Sequence, residues 1–481
     1  MTKDGRKDLM SELVKLTIND KEYEAPKGSL LIDKLLNEKI TIPHFCYHPS
    51  LGTDGNCRMC MVEIAGQKRP QIACDTPIKA DMVIYTKGEK IDAVQRDILE
   101  MQLVNHPLDC PTCDQAGECK LQDFYMDSGF YVNRVNVQKN NALKKVDLGA
   151  NVILDQERCV LCTRCVRFTQ EYAGTGELGV ISRADHSVID TFPGLKLHNP
   201  YAMNVVDLCP VGALTSKDFR FKQRSWFLES FHAICNGCSR GCNLQVDHRK
   251  EKYKDDLIYR FRPLENQSVN GYFICDEGRL SYKNENENRF LQPLINNNEN
   301  SLDETKEAFV NLLKDEKDTL FLISPNLSLE EMEIVKETAK KANASISGYS
   351  PQYIDESFKD KILKTNDKSA NRAGYEKVSI SEDEKEFQNS LNKASLVVIF
   401  ENNYFDNQLD LLDNKKIVSL FSANSTVCEK SDVAIPVASF LEKSGSYINC
   451  TGKTQEVSSK MNKNNPSIDI KSLLESINVK F

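Results

Sequence analysis

Fifteen of the chain's 17 cysteines lie between residues 46 and 275, and they sort into four consecutive groups at metal-ligand spacings. Cys46, Cys57, Cys60 and Cys74 come first, followed by His106, Cys110, Cys113 and Cys119. The third group is Cys159, Cys162, Cys165 and Cys209, and the fourth is Cys235, Cys238, Cys242 and Cys275. Each group offers four donors, with no cysteine of the interval left over. Thiolates at short spacings serve disulfides, zinc or iron–sulfur clusters. Disulfides fit poorly. The stretch MTKDGRKDLMSELVKLTIND carries neither an apolar signal core nor a twin arginine. An intracellular cysteine pattern reads as metal-binding or catalytic. Zinc competes for any one group, since a lone C-x2-C or a Cys3His set suits it. Four groups in series at differing spacings favour iron, and iron–sulfur centres carry electrons.

The spacings differ in what they say. Cys46-x10-Cys57-x2-Cys60-x13-Cys74 is a stretched relative of the plant-type [2Fe–2S] ligand set. Around it, GNCRMCMVE lets backbone N–H groups approach the sulfurs. Cys159-x2-Cys162-x2-Cys165 with the distant Cys209-Pro210 is half of a bacterial ferredoxin pattern and suggests [4Fe–4S]. Cys235-x2-Cys238-x3-Cys242 with Cys275 also reads as [4Fe–4S], and is the most zinc-like of the four. In His106-x3-Cys110-x2-Cys113-x5-Cys119 an imidazole completes a set that has only three cysteines. A neutral ligand in place of a thiolate makes such a cluster less anionic and favours its reduced form. His44 and His48 flank Cys46 as candidates for supporting the ligands, whereas His186, His198, His232 and His248 have no ligand-like neighbours. Trp226 is expected as a packing anchor, and Cys428 and Cys450 as ordinary buried thiols.

These ligands need elements to hold them. Val14, Leu16 and Ile18 alternate up to a turn at Asn19-Asp20, after which Tyr23 and Ala25 resume the pattern of a hairpin. Ser29 is placed to cap a helix carrying Leu31, Ile32, Leu35 and Leu36. Residues 88–105 read as an amphipathic helix through Ile91, Val94, Ile98 and Met101, delivering Asn105-His106-Pro107. Between 120 and 225 few long periodic elements are expected, because metal–thiolate bonds replace apolar burial there. The Asn/Glu-rich stretch 281–301 reads as a solvated linker or exposed meander. Beyond it, capping-box signals at Ser301-x-x-Glu304 and Ser328-x-x-Glu331 precede helices. Leu320–Ile323, Leu396–Phe400 and Ile417–Phe421 suit buried parallel strands. Neither G-x-G-x-x-G nor G-x-x-x-x-G-K-[ST] occurs in 302–481. A net charge of −8 over 481 residues argues against a nucleic-acid surface. No apolar run approaches the ~18 residues of a membrane span.

The strings GNCRMCMVE, NHPLDCPTCDQAGECKLQD, RCVLCTRCVRF and DLCPVGALTSK closely resemble the large iron–sulfur subunit (the G subunit) of bacterial NADH:quinone oxidoreductase, respiratory complex I. The resemblance is dense across residues 13–280. It implies a [2Fe–2S] cluster on the first group, a His/Cys3 [4Fe–4S] cluster on the second, and [4Fe–4S] clusters on the third and fourth. The fourth is an off-path cluster that only some members carry. SDVAIPVASFLEKSGSYINCTGKTQ is similar to the family's molybdopterin-oxidoreductase-like domain, through Glu442, Gly445, Asn449, Gly452 and Gln455. LHNPYAMNV, residues 197–205, departs from the family, and about 200 residues after Cys275 are too few for a pterin-binding body.

The fold class that follows is α+β followed by α/β. A [2Fe–2S] ferredoxin-like (β-grasp) domain is expected at 12–88, a His/Cys3 domain at 89–130, a [4Fe–4S] domain at 131–226 and a further one at 227–282. A linker at 283–301 and a cofactor-free molybdopterin-oxidoreductase-like remnant at 302–481 complete it. The resemblance implies an electron relay from the NADH/FMN module, or another low-potential donor, toward quinone. The partners it implies are a flavin- or other input subunit, a ferredoxin-like 8Fe subunit and quinone-site subunits, with no nucleic acid and no direct membrane insertion. It places the chain on the cytoplasmic side of the bacterial inner membrane, peripherally, and implies no molybdopterin, FMN or NAD of its own. A NAD-linked formate dehydrogenase catalytic subunit shares all four patterns but needs a longer C-terminal body. An iron-only hydrogenase needs further cysteine motifs, and a hydrogenase's diaphorase small subunit would end before Cys235. A redox-inert zinc scaffold is the rival of another class.

Overall fold

The computed structural model describes residues 12–128, 132–184, 186–459, 461–462 and 466–478. The first eleven residues read for export signals, and the end of the C-terminal domain at 479–481, lie outside the described residues. The chain divides after Phe227 into two units.

In the first unit, strands β1 (Leu13–Ile18) and β2 (Lys21–Pro26) form the expected hairpin. Asn19 and Asp20 turn it with φ of 48° and 64°, the left-handed pair that matches strand twist. Helix α1 (Leu31–Asn37) follows, but Ser29 does not cap it. Its hydroxyl donates to the Pro26 carbonyl at 2.7 Å, and the first turn is tied instead by Leu31 N–H to Thr76 O at 2.9 Å. Strands β3 (Met61–Ile64), β4 (Gln71–Ile72) and β5 (Met82–Tyr85) complete a mixed sheet in the order β2-β1-β5-β3-β4, with β1 and β5 parallel. Leu16, Ile18, Leu31, Ile32 and Leu35 pack beneath it in one core with Cys60 and Cys74, a ferredoxin-like arrangement.

Helix α2 (Glu89–Leu103) buries Ile91 and Leu99, whereas Met101 is 70% exposed. The inward face therefore centres on Ile91, Gln95 and Leu99, with Val94 and Ile98 half-buried at its edge and Met101 outside it. Gln95 Nε2 donates to Met61 O at 2.9 Å and sets that rotation. After α3 (Lys120–Ser128) come β6 (Val146–Gly149) and β7 (Val152–Leu154), then α4 (Arg164–Arg167), which runs into a π-helical turn at Phe168–Tyr172. The hairpin β8 (Leu178–Ile181) and β9 (Val188–Thr191), helix α5 (Asn204–Leu208) and strand β10 (Leu214–Ser216) follow. β10, β7 and β6 form a small sheet, and elements here are short.

The second unit begins with an antiparallel sheet of β11 (Glu229–Ile234), β12 (Asn243–Lys250) and β13 (Asp256–Pro263), followed by α6 (Asp276–Leu280). The stretch expected as a linker is built in. It holds α7 (Tyr282–Glu287) and two short strands, β14 (Leu294–Ile295) and β15 (Asn298–Glu299). Arg289 explains why: its Nε donates to Ser422 O at 3.0 Å, and its Nη2 pairs with Glu442 at 2.7 Å. Phe290 is buried beside it. A few anchors override the polar composition around them.

Helices α8 (Leu302–Asp315) and α9 (Leu329–Lys341) both form their capping boxes, on Ser301–Glu304 and Ser328–Glu331. Strands β16 (Thr319–Ile323) and β17 (Ser345–Ser347) precede α10 (Arg372–Val378) and α11 (Glu384–Lys393). Then come β18 (Leu396–Phe400), β19 (Lys416–Phe421), α12 (Thr426–Lys430) and β20 (Val433–Pro436). The sheet order is β15-β14-β20-β19-β18-β16-β17, and the five strands β16 to β20 run parallel. By chain order those five read 2-1-3-4-5, a doubly wound pattern. Phe321, Val398 and Phe400 face a core with α8, α9 and α13 (Ile470–Asn478). Leu322, Val397 and Ile399 face the opposite core with α11 and α12. The hairpin of β21 (Gly445–Ile448) and β22 (Thr454–Val457) stands apart from this sheet. Among the described residues no helix is long and apolar enough to cross a membrane.

Phe400 is fully buried on the central strand. Phe400→Ala is expected to cost about 3–5 kcal/mol in equilibrium urea unfolding of the second unit. Met101→Ala, at an exposed position, should stay within about 0.5 kcal/mol; a large loss there would contradict the helix rotation described.

Candidate functional site

The first cysteine group closes inside the N-terminal domain. Cys46, Cys57, Cys60 and Cys74 are all buried. Thiol hydrogen bonds join Cys46 to Cys57 and Cys74, and Cys60 to Cys74. These bonds hold the Cys46 and Cys60 thiols below their usual value and drive Cys57 and Cys74 above it. The N–H groups of Phe45 and Cys46 both point at Cys57 Sγ, each at 3.5 Å. Such donors stabilise negative charge on sulfur.

The third group lines one cavity of about 350 Å³, which Cys159, Cys162, Cys165 and Cys209 share with Arg164 and Leu154. Leu161 and Thr163 take left-handed φ of 51° and 60°, which curls the Cys-x2-Cys-x2-Cys loop around it. Leu161 N–H reaches Cys159 Sγ at 3.3 Å. Burial pushes Cys162 up to about 12 and raises Cys159, Cys165 and Cys209 as well. Left alone these sulfurs keep their protons, and a metal centre would displace them.

The second group lines a cavity of about 290 Å³ with Cys110, Cys113, Cys119, His106, Arg158 and Gly212. Lys139 Nζ donates to the carbonyls of Leu103, Val104 and His106, closing the end of α2 and fixing the histidine backbone. His106 Nδ1 is buried with no hydrogen-bond partner in the described structure. Burial, with the Arg158 guanidinium beside it, pushes His106 down to about 4, so its ring is neutral at pH 7 and its lone pair is free for a ligand bond. A Cβ on Gly212 would sit 2.2 Å from Cys113 Sγ. Only glycine fits there.

The fourth group belongs to the second unit. Cys235, Cys238, Cys242 and Cys275 are buried, and Gly237 and Gly278 N–H groups reach Cys235 and Cys275 Sγ at 3.4 and 3.3 Å. A Cβ on Gly278 would lie 2.9 Å from Cys235 Sγ and 3.4 Å from Cys275 Sγ. The β21–β22 hairpin braces this loop. Gln455 Nε2 donates to Gly241 O at 2.9 Å, and its Oε1 accepts from Asn243 Nδ2 at 2.6 Å. Asn449 Oδ1 accepts from the N–H groups of Thr451 and Lys453, both at 3.0 Å, and so shapes the turn.

Within the first unit the groups interlock out of chain order. Arg164 donates to Tyr47 O beside the first group and to Leu208 O beside Cys209. Pro210 O accepts from Lys120 N–H at 3.0 Å, next to Cys119 of the second group. The third group thus lies between the other two. Sequence reading missed Arg158, Arg164 and Gly212, whose only signal was adjacency to ligand cysteines.

Other expectations change. Trp226 is 59% exposed; its ring lies against the Gly117 turn and under the Arg224 guanidinium, whose Nη1 donates to Cys113 O at 2.7 Å. Cys450 is exposed and only Cys428 is buried. His44 bonds Ile42 O at 2.9 Å and His48 accepts from Ser50 N–H at 3.1 Å. His232 bonds Asn243 at 2.9 Å, and His248 bonds buried Asp256 at 2.8 Å.

Four family models match along the chain. The 2Fe-2S iron-sulfur cluster binding domain covers residues 11–89, and the NADH-ubiquinone oxidoreductase-G iron-sulfur binding region covers 95–134. The ferredoxin-like domain of NADH-quinone oxidoreductase subunit 3 covers 149–215, and the molybdopterin oxidoreductase Fe4S4 domain 228–287. The G subunit of NADH-quinone oxidoreductase from Streptomyces coelicolor is 38% identical over 295 residues, 61% of this chain and 34% of that one. Its counterpart from Rickettsia felis is 34% identical over 352 residues, 72% of this chain and 51% of that one. The chain is a relative of the NADH-quinone oxidoreductase G subunits. It spans from about a third to half the length of the G subunits it matches. A chain of the NAD+-reducing [NiFe]-hydrogenase in the H2-reduced state shows 28% identity and a TM-score of 0.39, over 44% of this chain and 90% of that one.

Gln455→Ala removes the brace on Gly241 without touching a cysteine. Iron bound per chain is expected to fall by about one cluster, with the first unit's iron retained; full iron content would show that the hairpin does not support the fourth loop.

Proposed function

We propose that the chain is an electron-transfer subunit of respiratory complex I, with one [2Fe–2S] and three [4Fe–4S] clusters held by the sixteen residues of its four groups. The observation that carries this reading is convergence. Donors up to 50 positions apart, Cys159 and Cys209, line one cavity, in a chain whose matched domains are all iron–sulfur domains. The residues fit such groups. His106 presents an orphaned ring nitrogen, and Gly212 and Gly278 keep clear the space that a Cβ would fill. A zinc ion draws four ligands to about 2.0–2.3 Å from one point. Against zinc stands the family match, since residues 149–215 match a ferredoxin-like domain.

Bound in these cavities, iron–sulfur clusters supply one-electron redox chemistry. The chain contributes placement, burial and N–H donors to sulfur. Its interlock of groups supports a route from the first group through the third to the second, where Cys110 is exposed. The electron source would be an NADH/FMN module or another low-potential donor, and the acceptor a ferredoxin-like 8Fe subunit leading to quinone-site subunits. The setting would be peripheral, on the cytoplasmic face of the inner membrane. The relatives named above favour this over a formate dehydrogenase.

For residues 302–481 we infer a cofactor-free remnant of a molybdopterin-oxidoreductase domain. An open α/β sheet binds ligands beyond the carboxyl ends of its strands. Here that crevice holds the buried pair Lys443–Glu331 at 2.8 Å, and Glu401, which burial pushes up to about 7. Of the residues carrying the resemblance, Glu442 pairs with Arg289, and Gln455 serves the fourth group.

Purified chain is expected to carry roughly 14 irons and as many acid-labile sulfides. A colourless protein with about four zincs would refute the relay. His106→Cys tests the unusual ligand. It should keep the cluster and lower its midpoint potential, since a thiolate adds negative charge that disfavours reduction. An unchanged potential would remove His106 from the ligand set.

A further inference from the structure

Arg164 and Arg167 sit on α4, between two ligand groups, and neither pairs with a carboxylate. Arg167, 8% exposed, donates to Leu51 O at 2.8 Å, to Gly52 O at 3.1 Å and to Cys46 O. Arg164 spends its Nη groups on Tyr47 O and Leu208 O, and its Nε is buried without an acceptor. It also lines the cavity of the third group. Nearby carboxylates are engaged elsewhere: Asp54 accepts from Thr163 Oγ1 at 2.7 Å, and Asp33 from the Tyr47 hydroxyl. His48, near both arginines, accepts from Ser50 N–H at 3.1 Å. Lys120 adds positive charge on the same side, facing His44.

Buried cations without a counter-charge are costly, and carbonyl dipoles do not neutralise them. Four thiolates around a cluster do: a [2Fe–2S] or [4Fe–4S] core with four cysteines is an anion even when oxidised, and gains one more negative charge with each electron. We propose that Arg164, with Arg167, is the built-in counter-ion shared by the first and third sites, a positioning residue that raises the reduction potential of both clusters together. This role rests on the cluster reading above. The electron moves with no bond made or broken: one iron centre is reduced as the other is oxidised. The fixed guanidinium charge lowers the cost of the reduced state on either side.

The test is a redox titration of the full chain with its clusters, followed by electron paramagnetic resonance, comparing wild type with Arg164→Gln and Arg164→Lys. Arg164→Gln is expected to weaken reduction of both the first- and third-site clusters about tenfold, a downward shift of about 59 mV for a one-electron couple. Arg164→Lys should retain most of the wild-type potential, and the fourth-site cluster should not move in either variant. Loss of both clusters in Arg164→Gln with retention in Arg164→Lys would equally support the charge role. Unchanged potentials in Arg164→Gln, an equal shift in Arg164→Lys, or cluster loss in both variants would overturn it in favour of a purely structural arginine. A wild-type chain without iron signals would instead defeat the cluster reading itself.

Discussion

A buried sulfur donor has to face open space while its back is held by protein, and the second and third groups each line a cavity that meets that constraint. Close packing ordinarily fills any gap larger than a water molecule. Here the gaps are kept. Gly212 stands where any side chain would strike Cys113, and Gly278 stands where one would strike Cys235. Backbone N–H groups ring the sulfurs, from Phe45, Leu161, Gly237 and Gly278. They offset charge on sulfur without occupying the cavity.

In the region between α2 and β10 the elements are short, and buried apolar side chains such as Leu154, Phe168, Tyr201 and Val205 pack around the cysteine groups. Residues flanking one ligand set are used to support the next. Arg158 precedes Cys159 of the third group yet lines the cavity of the second. Arg164 follows Cys162 yet holds Tyr47 beside the first. Such sharing links the three cysteine groups of the first unit through Arg158 and Arg164.

The second unit follows a different economy. Its seven-stranded sheet is held by two apolar cores, one on each face, and folds by ordinary burial. Within this unit Lys443 and Glu331 form a buried ion pair at 2.8 Å. Gln455 supports the loop between Cys238 and Cys242, and Glu442 anchors Arg289. The domain therefore braces a cysteine site with residues drawn from about 200 positions away, Gln455 on Gly241 among them.

Spacing alone made the first hairpin and both capping boxes legible, because each depends on neighbours within a few residues of chain, and the short Cys-x2-Cys runs within the cysteine groups were legible for the same reason. The burial-driven strands at 320, 396 and 417 were legible for the same reason: a run of apolar residues needs no partner to be recognised. Tertiary structure decided the rest. It rotated α2 so that Gln95 could reach Met61, left Trp226 and Cys450 in solvent, and turned an Asn/Glu-rich stretch into sheet because Arg289 and Phe290 found sites in the second unit. It also chose which arginines lie between sites, since the reach of a long side chain across a fold leaves no mark in local sequence.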